Sequence, residues 1–459
     1  MFLAWTFDLT SEGIRRTVVT SRRGTASIAA SLVLLVAGTA GLFLLINPSL
    51  QERQNESTPA SVPIQPNSLA ILPFVSAGEN AEDEYMIEGL SDALRDQLSQ
   101  VSGLRIAARS SSMAAVERGL DALAMSSRLG VASLVEGTVR RERNLLRVTV
   151  QLIDGRSGLA DWSQTFERGP REFLAVQEDI AKAIVGKLLP GLDPPAMQPA
   201  TRDPTANELM VLARHYEQQV RGRHEVDVET LLESIRLYRE ATEADPDSAL
   251  AHSRLAGSLM YLGDLEAAEA SINRALSIDP GLSEVQNTLG EFRWAQGLIQ
   301  ESRIAWQRAV ELNPNNPDAL QNYARARWWS SSEEGAEELY RRAVALDALN
   351  LERHASLGAY LALENQVDEA REVAATIEQI FDDVPSFTAL ATLFDYIGDV
   401  DRSIAWTIRA RDVEPDNPAH VHKLAEFHAD IEDFGTALQL DPNGLGILFK
   451  MRRFEAVIE

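Results

Sequence analysis

Between residues 69 and 188 the spacing of apolar positions changes several times, and each change predicts an element. The run LAILPFV at 69–75 reads as a buried strand. Residues 81–101 read as a helix whose Met86, Leu90, Leu94, Leu98 and Val101 fall at steps of four and three on one face. A second short strand is predicted at 104–108. Ser110, Ser111 and Ser112 then offer cap hydroxyls to a second amphipathic helix marked by Met113, Val116, Leu120 and Leu123. Next the period drops to two. Leu146, Val148, Val150 and Leu152 face one way and Arg147, Thr149 and Gln151 the other, which predicts a half-buried strand. Turn residues at 141–144 and 154–158 place it in an antiparallel meander through Val135, Val150 and Trp162. Phe173, Val176, Ile180, Ile184 and Leu188 mark a closing helix, so strands and helices alternate in an α/β module over 68–190.

From 203 to 459 the pattern is helical throughout and repeats about every 34 residues. Leu255, Ala268, Ile272, Ala275 and Pro280 in one unit are followed by Leu289, Gly290, Trp306, Ala309 and Pro314 in the next. Units close on similar phrases, SIDPGL, ELNPNN, ALDALN and DVEPDNP, which place equivalent positions at Pro280, Pro314, Ala348, Asp382 and Pro415. Small residues recur where paired helices must touch, at Ala268, Ser302, Ala336, Ala370 and Ser403. An earlier unit ends at Asp245-Pro246, with extra residues at 221–228 lengthening its internal turn. A degraded unit spans 418–442, and the tail LGILFKMRRFEAVIE is expected to cap the array. The period resembles that of the tetratricopeptide helical pair. Two amphipathic helices cannot bury their apolar faces alone, so about six or seven such units are expected to stack into an all-α solenoid.

One segment departs from both patterns. Residues 26–46, ASIAASLVLLVAGTAGLFLLI, carry no charge and reach about 31 Å as a helix, enough for a hydrocarbon core of about 30 Å. Arg15, Arg16, Arg22 and Arg23 precede it and only Arg53 follows soon after, so the positive-inside rule puts residues 1–25 in the cytoplasm. One transmembrane helix is therefore expected, retained in the inner membrane, with a Pro- and Ser-rich linker at 47–67 and both later domains periplasmic. A cleaved signal peptide is the competing reading; its apolar region would be shorter and followed by a small-residue cleavage site. The 459-residue chain has a formal net charge of −25, which excludes general nucleic-acid binding. It has no cysteine, which excludes disulfides, thiolate chemistry and cysteine-ligated zinc.

The runs LAILPFV, EYMIEGLSDALRDQLS, GLRIAARSSS, LVEGTVRRERNLLRVTVQLIDGRSG and FLAVQEDIAKAIV, taken in order, resemble the TolB-type amino-terminal domain, which is related to the FlgO domain. The resemblance implies an α/β module with no active site of its own, set between a membrane span and helical repeats. Relatives often carry a winged-helix or nucleotide cyclase domain before the span; the 25 residues here are expected to be too few for either. The chain departs from the family in a shortened region at 116–130 and in Ala160-Asp161-Trp162, so no ligand site is implied there.

If the repeat register holds, the first helix of each pair lines the inner face of the solenoid. It presents Asn287, Glu291 and Trp294 in one repeat and Gln321, Arg325 and Trp328 in the next. Two tryptophans one repeat apart, flanked by amide, acid and base, suit an extended peptide or a partner helix. The alternative is that they pack between repeats, alongside Trp306 and Trp329. Some tetratricopeptide domains clamp a chaperone's terminal carboxylate with Lys, Asn and Arg. The corresponding positions here hold Ser253, Gly257, Asn287 and Glu291, so that ligand is not implied.

There is no phosphate loop, dinucleotide fingerprint or nucleophile elbow, and so no catalytic residue or cofactor is expected. His420, His422 and His428 form the closest histidine group, but on one helix they do not converge, and no metal is expected. The expected function is a non-enzymatic, membrane-anchored scaffold that holds protein partners in the solenoid groove and leaves room for a homo-oligomer. The alternative is a sensory component that signals across the inner membrane to a separate cytoplasmic regulator.

Overall fold

The computed structural model describes residues 6–10, 13–17, 64–77, 84–142, 145–169, 172–190, 201, 203–221, 227–330, 335–430 and 433–441. They belong to two compact units, one ending at Ala60 and one starting at Ser61. In the first unit β1 (Thr6–Thr10) pairs antiparallel with β2 (Gly13–Thr17), Thr6 opposite Thr17. The expected span at 26–46, most of the linker and the tail at 445–459 lie outside the described residues. Among the described residues no helix is long and apolar enough to cross a membrane.

The second unit opens with the α/β module: β3 (Gln65–Ile71), β4 (Val75–Ser76), α1 (Glu84–Ser99), β5 (Arg105–Ile106), α2 (Arg109–Glu117), α3 (Ala122–Leu129), β6 (Val131–Glu142), β7 (Leu145–Asp154), β8 (Ala160–Arg168) and α4 (Phe173–Leu188). The sheet runs β5-β3-β6-β7-β8, with β4 also beside β6. β3 is parallel to β5 and β6, while β6, β7 and β8 form the antiparallel meander, Val135 opposite Leu152 and Leu152 opposite Trp162. The apolar run from Leu69 to Leu72 has a simple cause. Its alternate residues feed two cores, Leu69 and Ile71 packing with Leu90, Leu94, Leu98, Ile180 and Ile184, and Ala70 and Leu72 packing with Ala115, Met125 and Leu129.

Three local expectations are corrected. The first strand begins at Gln65 and ends at Ile71, just before Pro73, which has no N–H to give to a ladder. The second amphipathic helix is two helices. Gly119, at φ +64°, breaks the chain, and the Asp121 side chain then caps α3 by accepting from the Ala124 N–H at 2.8 Å. A single apolar stripe cannot run across two axes, and Val116 and Leu123 are exposed while Ser111, Ser112 and Ala115 are buried. Finally, the serines do not cap α2, whose N-cap is Ala108 with no side-chain bond.

Among the described residues seven helical pairs follow: α5 (Pro204–Arg221) with α6 (Val228–Ala244), α7 (Ala249–Leu262) with α8 (Leu265–Ile278), α9 (Ser283–Ala295) with α10 (Ile299–Leu312), α11 (Pro317–Trp329) with α12 (Ala336–Leu346), α13 (Leu351–Leu363) with α14 (Val367–Ile380), α15 (Val384–Ile397) with α16 (Val400–Val413), and α17 (Pro418–Asp430) with α18 (Phe434–Leu440). Ala268, Ser302, Ala336, Ala370 and Ser403 are all 0% exposed, as their recurrence predicts. They let the helices of a pair approach closely. Gly290 serves the same end, since a Cβ there would lie 2.4 Å from Trp306 Nε1. Helix starts are set by Asp227, Ser248, Asp264, Asn316, Asn350, Asp383 and Asp399, whose side chains accept from backbone N–H groups of the first turn.

Candidate partner-binding groove and interdomain cleft

The six groove residues fall on α9 and α11, the first helices of the third and fourth pairs. On α9, Asn287 Nδ2 donates to Glu291 Oε1 at 3.0 Å, and Trp294 is half-buried. The Trp294 ring lies 5.7 Å from that of Trp306, which is fully buried, and 5.9 Å edge-on from that of Trp329, which is 62% exposed. The Arg325 guanidinium sits 4.7 Å over the Trp294 ring, joining two repeats by a cation–π contact. Gln321 is buried, its Nε2 on Glu352 Oε1 at 2.9 Å. Trp328 follows the same rule as Trp294, reaching forward one repeat: its ring meets Tyr360 edge-on at 5.6 Å, and its Nε1 donates to Glu364 Oε1 at 2.5 Å. The two tryptophans therefore pack on successive repeats rather than on each other. Three atoms of the set, Asn287 Oδ1, Gln321 Oε1 and Arg325 Nε, are buried with no hydrogen-bond partner. Such atoms are costly to leave unpaired.

The array also carries the α/β module along one edge. Asn313, Asp347 and Phe381, each just before a first helix and 34 residues apart, all touch it. Asn313 Nδ2 donates to Ser99 Oγ at 3.1 Å, and Asn315 Nδ2 to the carbonyl of Leu104 at 2.8 Å. Asp347, 1% exposed, accepts from Ser110 Oγ at 2.5 Å and Ser111 Oγ at 2.7 Å. Ser111 Oγ in turn accepts from the Leu349 N–H, and the Ala108 N–H donates to the Leu346 carbonyl. Arg118 lies over the Phe381 ring at 5.1 Å.

Where α1 meets α5, α7 and α9 the two parts enclose a cleft of about 700 Å³. The face of α1 opposite its apolar stripe carries Glu88, Asp92 and Asp96 at steps of four, and these carboxylates meet arginines from several elements. Asp92 pairs with Arg95 Nη1 at 2.6 Å, Arg109 Nε at 3.0 Å and Arg214 Nε at 3.4 Å. Arg214 Nη1 also reaches Asp96 at 3.2 Å, and Arg254 Nη2 reaches it at 3.6 Å. Burial alone would raise the Asp92 pKa, yet Arg214, Arg95 and Arg109 together hold it down at about 2. Burial works against the charge on Arg214 too, and Asp92 and Asp96 outweigh it and raise its pKa. Glu284 at the start of α9 differs: burial, with Asp96 adding to it, pushes its carboxyl above the usual range. Gly89 makes the close approach possible, since a Cβ there would meet Val211 Cγ1 at 2.4 Å.

Sequence reading missed this cleft because a run of acids at helical spacing looks like a solvated face. The signal was the step of four opposite a buried stripe. His420 and His422 turn to different carboxylates, Glu414 at 3.1 Å and Asp441 at 2.8 Å, and no group of metal-ligating side chains occurs among the described residues.

Stacked helical pairs with small residues in register define a solenoid of helical repeats. Residues 220–283 and 288–350 match the Tetratricopeptide repeat family, so the chain carries tetratricopeptide repeats. Over 210 residues it is 33% identical to the Rhizobium meliloti (strain 1021) protein named Putative adenylate cyclase 3, a match covering 45% of this chain and 34% of that one. It is 27% identical over 105 residues to small glutamine-rich tetratricopeptide repeat-containing protein 2 of Mycosarcoma maydis, covering 23% and 30%. The chain spans about a third of the length of the curated relatives it matches. Among solved structures, Pseudomonas aeruginosa pilF is similar at 20% identity with a TM-score of 0.39, over 50% of this chain and 99% of that one.

Proposed function

We propose that this chain is a non-enzymatic scaffold that holds a peptide or helix of a protein partner on the inner face of its repeats, at Asn287, Glu291, Trp294, Gln321, Arg325 and Trp328. The observation that carries the reading is the set of orphaned polar atoms on Asn287, Gln321 and Arg325 beside two half-buried tryptophans. A partner's backbone would supply the missing bonds, and its apolar side chains would cover the indole rings. Tetratricopeptide arrays are typically non-enzymatic and act by binding, which agrees with this. Replacing Trp294 or Trp328 by alanine is expected to cost on the order of 2 kcal/mol, roughly 30-fold in affinity. Affinity is read by titrating a peptide that crosslinks to the groove, with circular dichroism to show that the array still folds. Unchanged affinity in both variants overturns the reading.

The scaffold is anchored through residues 26–46 and faces the periplasm, supported by the charge-free run and the arginines before it. An alkaline phosphatase fusion after residue 190 that stays inactive refutes that placement. A second reading, a sensory component, is favoured by the seating of the α/β module, which resembles the TolB type, along the same array that would receive the partner. The name of the Rhizobium meliloti relative links this reading to nucleotide signalling. Exchanging residues 26–46 for an unrelated apolar helix changes an output if the chain signals and leaves a scaffold indifferent.

A further inference from the structure

The cleft under α1 and the tryptophan groove share one wall. Glu284 lines the cleft, and Asn287, Glu291 and Trp294 continue from it along α9 at steps of three, four and three. From Glu284 to Trp294 the helix rises about 15 Å, which an extended chain covers in four or five residues.

The cleft has the chemistry of a site for a cation. Six carboxylates line it, and four are already paired, Glu88 with Arg109 and His215, Asp92 with Arg95, Arg109 and Arg214, Asp96 with Arg214 and Arg254, and Asp247 with Arg274, which leaves Asp279 and Glu284 outside any ion pair among the described residues. Glu284 has no such neutralising partner close enough to offset its burial, and its carboxyl is pushed upward. A second observation is independent of charge. Gln97 and Gln177 line the cleft, are 6% and 1% exposed, and each keeps one buried amide atom without a hydrogen bond, Oε1 of Gln97 and Nε2 of Gln177. The first needs a donor and the second an acceptor. A free polyamine offers donors alone, whereas a peptide offers a cationic side chain and backbone carbonyls together. The formal charge of −25 favours a basic partner over the whole approach path.

Resting on the groove reading above, we propose that the cleft is the specificity pocket of that groove. It admits a lysine or arginine side chain of the partner peptide, held by Glu284 with Asp96 and Gln97 Oε1 as further acceptors. The same peptide places a large apolar residue four or five positions away on Trp294.

The test uses the purified 459-residue chain and a synthetic array of ten-residue peptides. Each peptide carries one lysine and one phenylalanine at separations from one to eight in a Gly/Ser background, with glutamate replacing lysine in matched controls. Binding that peaks at separations of four and five and vanishes in the glutamate controls supports the proposal. Glu284→Gln is then expected to lower affinity at least about tenfold, as loss of a buried charge partner does. Gln97→Leu, which keeps bulk and removes the orphaned acceptor, is the second arm should Glu284→Gln fail to fold by circular dichroism. If Trp294→Ala weakens binding while Glu284→Gln and Gln97→Leu leave it unchanged, the cleft proposal falls and the groove reading stands. If none of the three matters, both fall. Putrescine that displaces the peptide at equal concentration assigns the cleft to a free amine and overturns a peptide source.

Discussion

Removing the Asp347 carboxylate tests whether the α/β module is truly latched to the repeats. The group is 1% exposed and accepts four hydrogen bonds, from Ser110 Oγ, Ser111 Oγ, Asn350 Nδ2 at 2.8 Å and Arg353 Nε at 3.2 Å. Asp347→Ala strands the buried Ser111 hydroxyl, takes a bond from the exposed Ser110 hydroxyl and strips one of two carboxylates from Arg353, which keeps Asp318 and is itself 7% exposed. The stranded Ser111 hydroxyl costs about 1 kcal/mol, the lost Ser110 bond about 1 kcal/mol, and breaking a buried ion pair about 3–5 kcal/mol when no partner remains. With Asp318 retained the ion-pair loss is the smaller part, and the sum is about 3 kcal/mol. Native-state hydrogen exchange is the suitable assay, because a chain of several cooperative units has no single unfolding free energy. Protection should fall by about two orders of magnitude, and together, at Ala108 in the module and Leu349 in the array, whose N–H groups bond across the junction. In a double-mutant cycle, Asp347→Ala and Ser110→Ala should couple by about 1 kcal/mol. Loss confined to residues 346–350, with Ala108 still protected and no coupling to Ser110, would refute the latch.

Other consequences follow from the same junction. Gly89→Val places a side chain where Val211 already sits, 2.4 Å from the added Cβ, so α1 must move off α5 by about 1 Å at a cost of about 1–3 kcal/mol. Faster proteolysis in the link at 191–203 would report that movement, and wild-type cleavage rates would contradict it. Asp92 has a folded pKa of about 2, below its unfolded value near 3.8, so its contribution is present above pH 4 and is lost as the pH falls through 2. It is worth on the order of 2 kcal/mol. Stability of the α1–α5 contact should drop over that window in wild type and show less pH dependence there in Asp92→Asn, measured by exchange at α1.

The repeats were legible because their constraint is local and periodic: a helix pair closes only where Ala268, Ser302, Ala336, Ala370 and Ser403 leave room. The sheet meander was legible for the same reason, since alternation at Leu146, Val148, Val150 and Leu152 fixes which side is buried. What could not be read was every contact joining elements far apart in the chain. Ser110 and Ser111 look like caps and Asp347 looks like a turn residue until 236 residues of chain bring Ser111 to Asp347. The second amphipathic helix was misjudged because one glycine, Gly119, changes the axis and with it the meaning of spacing. Sequence placed Trp294 and Trp328 on neighbouring first helices but not the forward reach that ties Trp294 to Arg325 and Trp328 to Glu364.

Asn313, Asp347 and Phe381 occupy the same place in successive repeats and bear on one rigid sheet-backed body. A solenoid held only by nearest neighbours behaves as a spring, able to lengthen or coil as each junction gives a little. Here three consecutive rungs are splinted, so elasticity is confined to the unsupported coils beyond Phe381. The partner proposed for α9 and α11 would meet a calibrated ruler instead of a yielding surface, and recognition there would reward segments of the right length over those that merely fit after stretching.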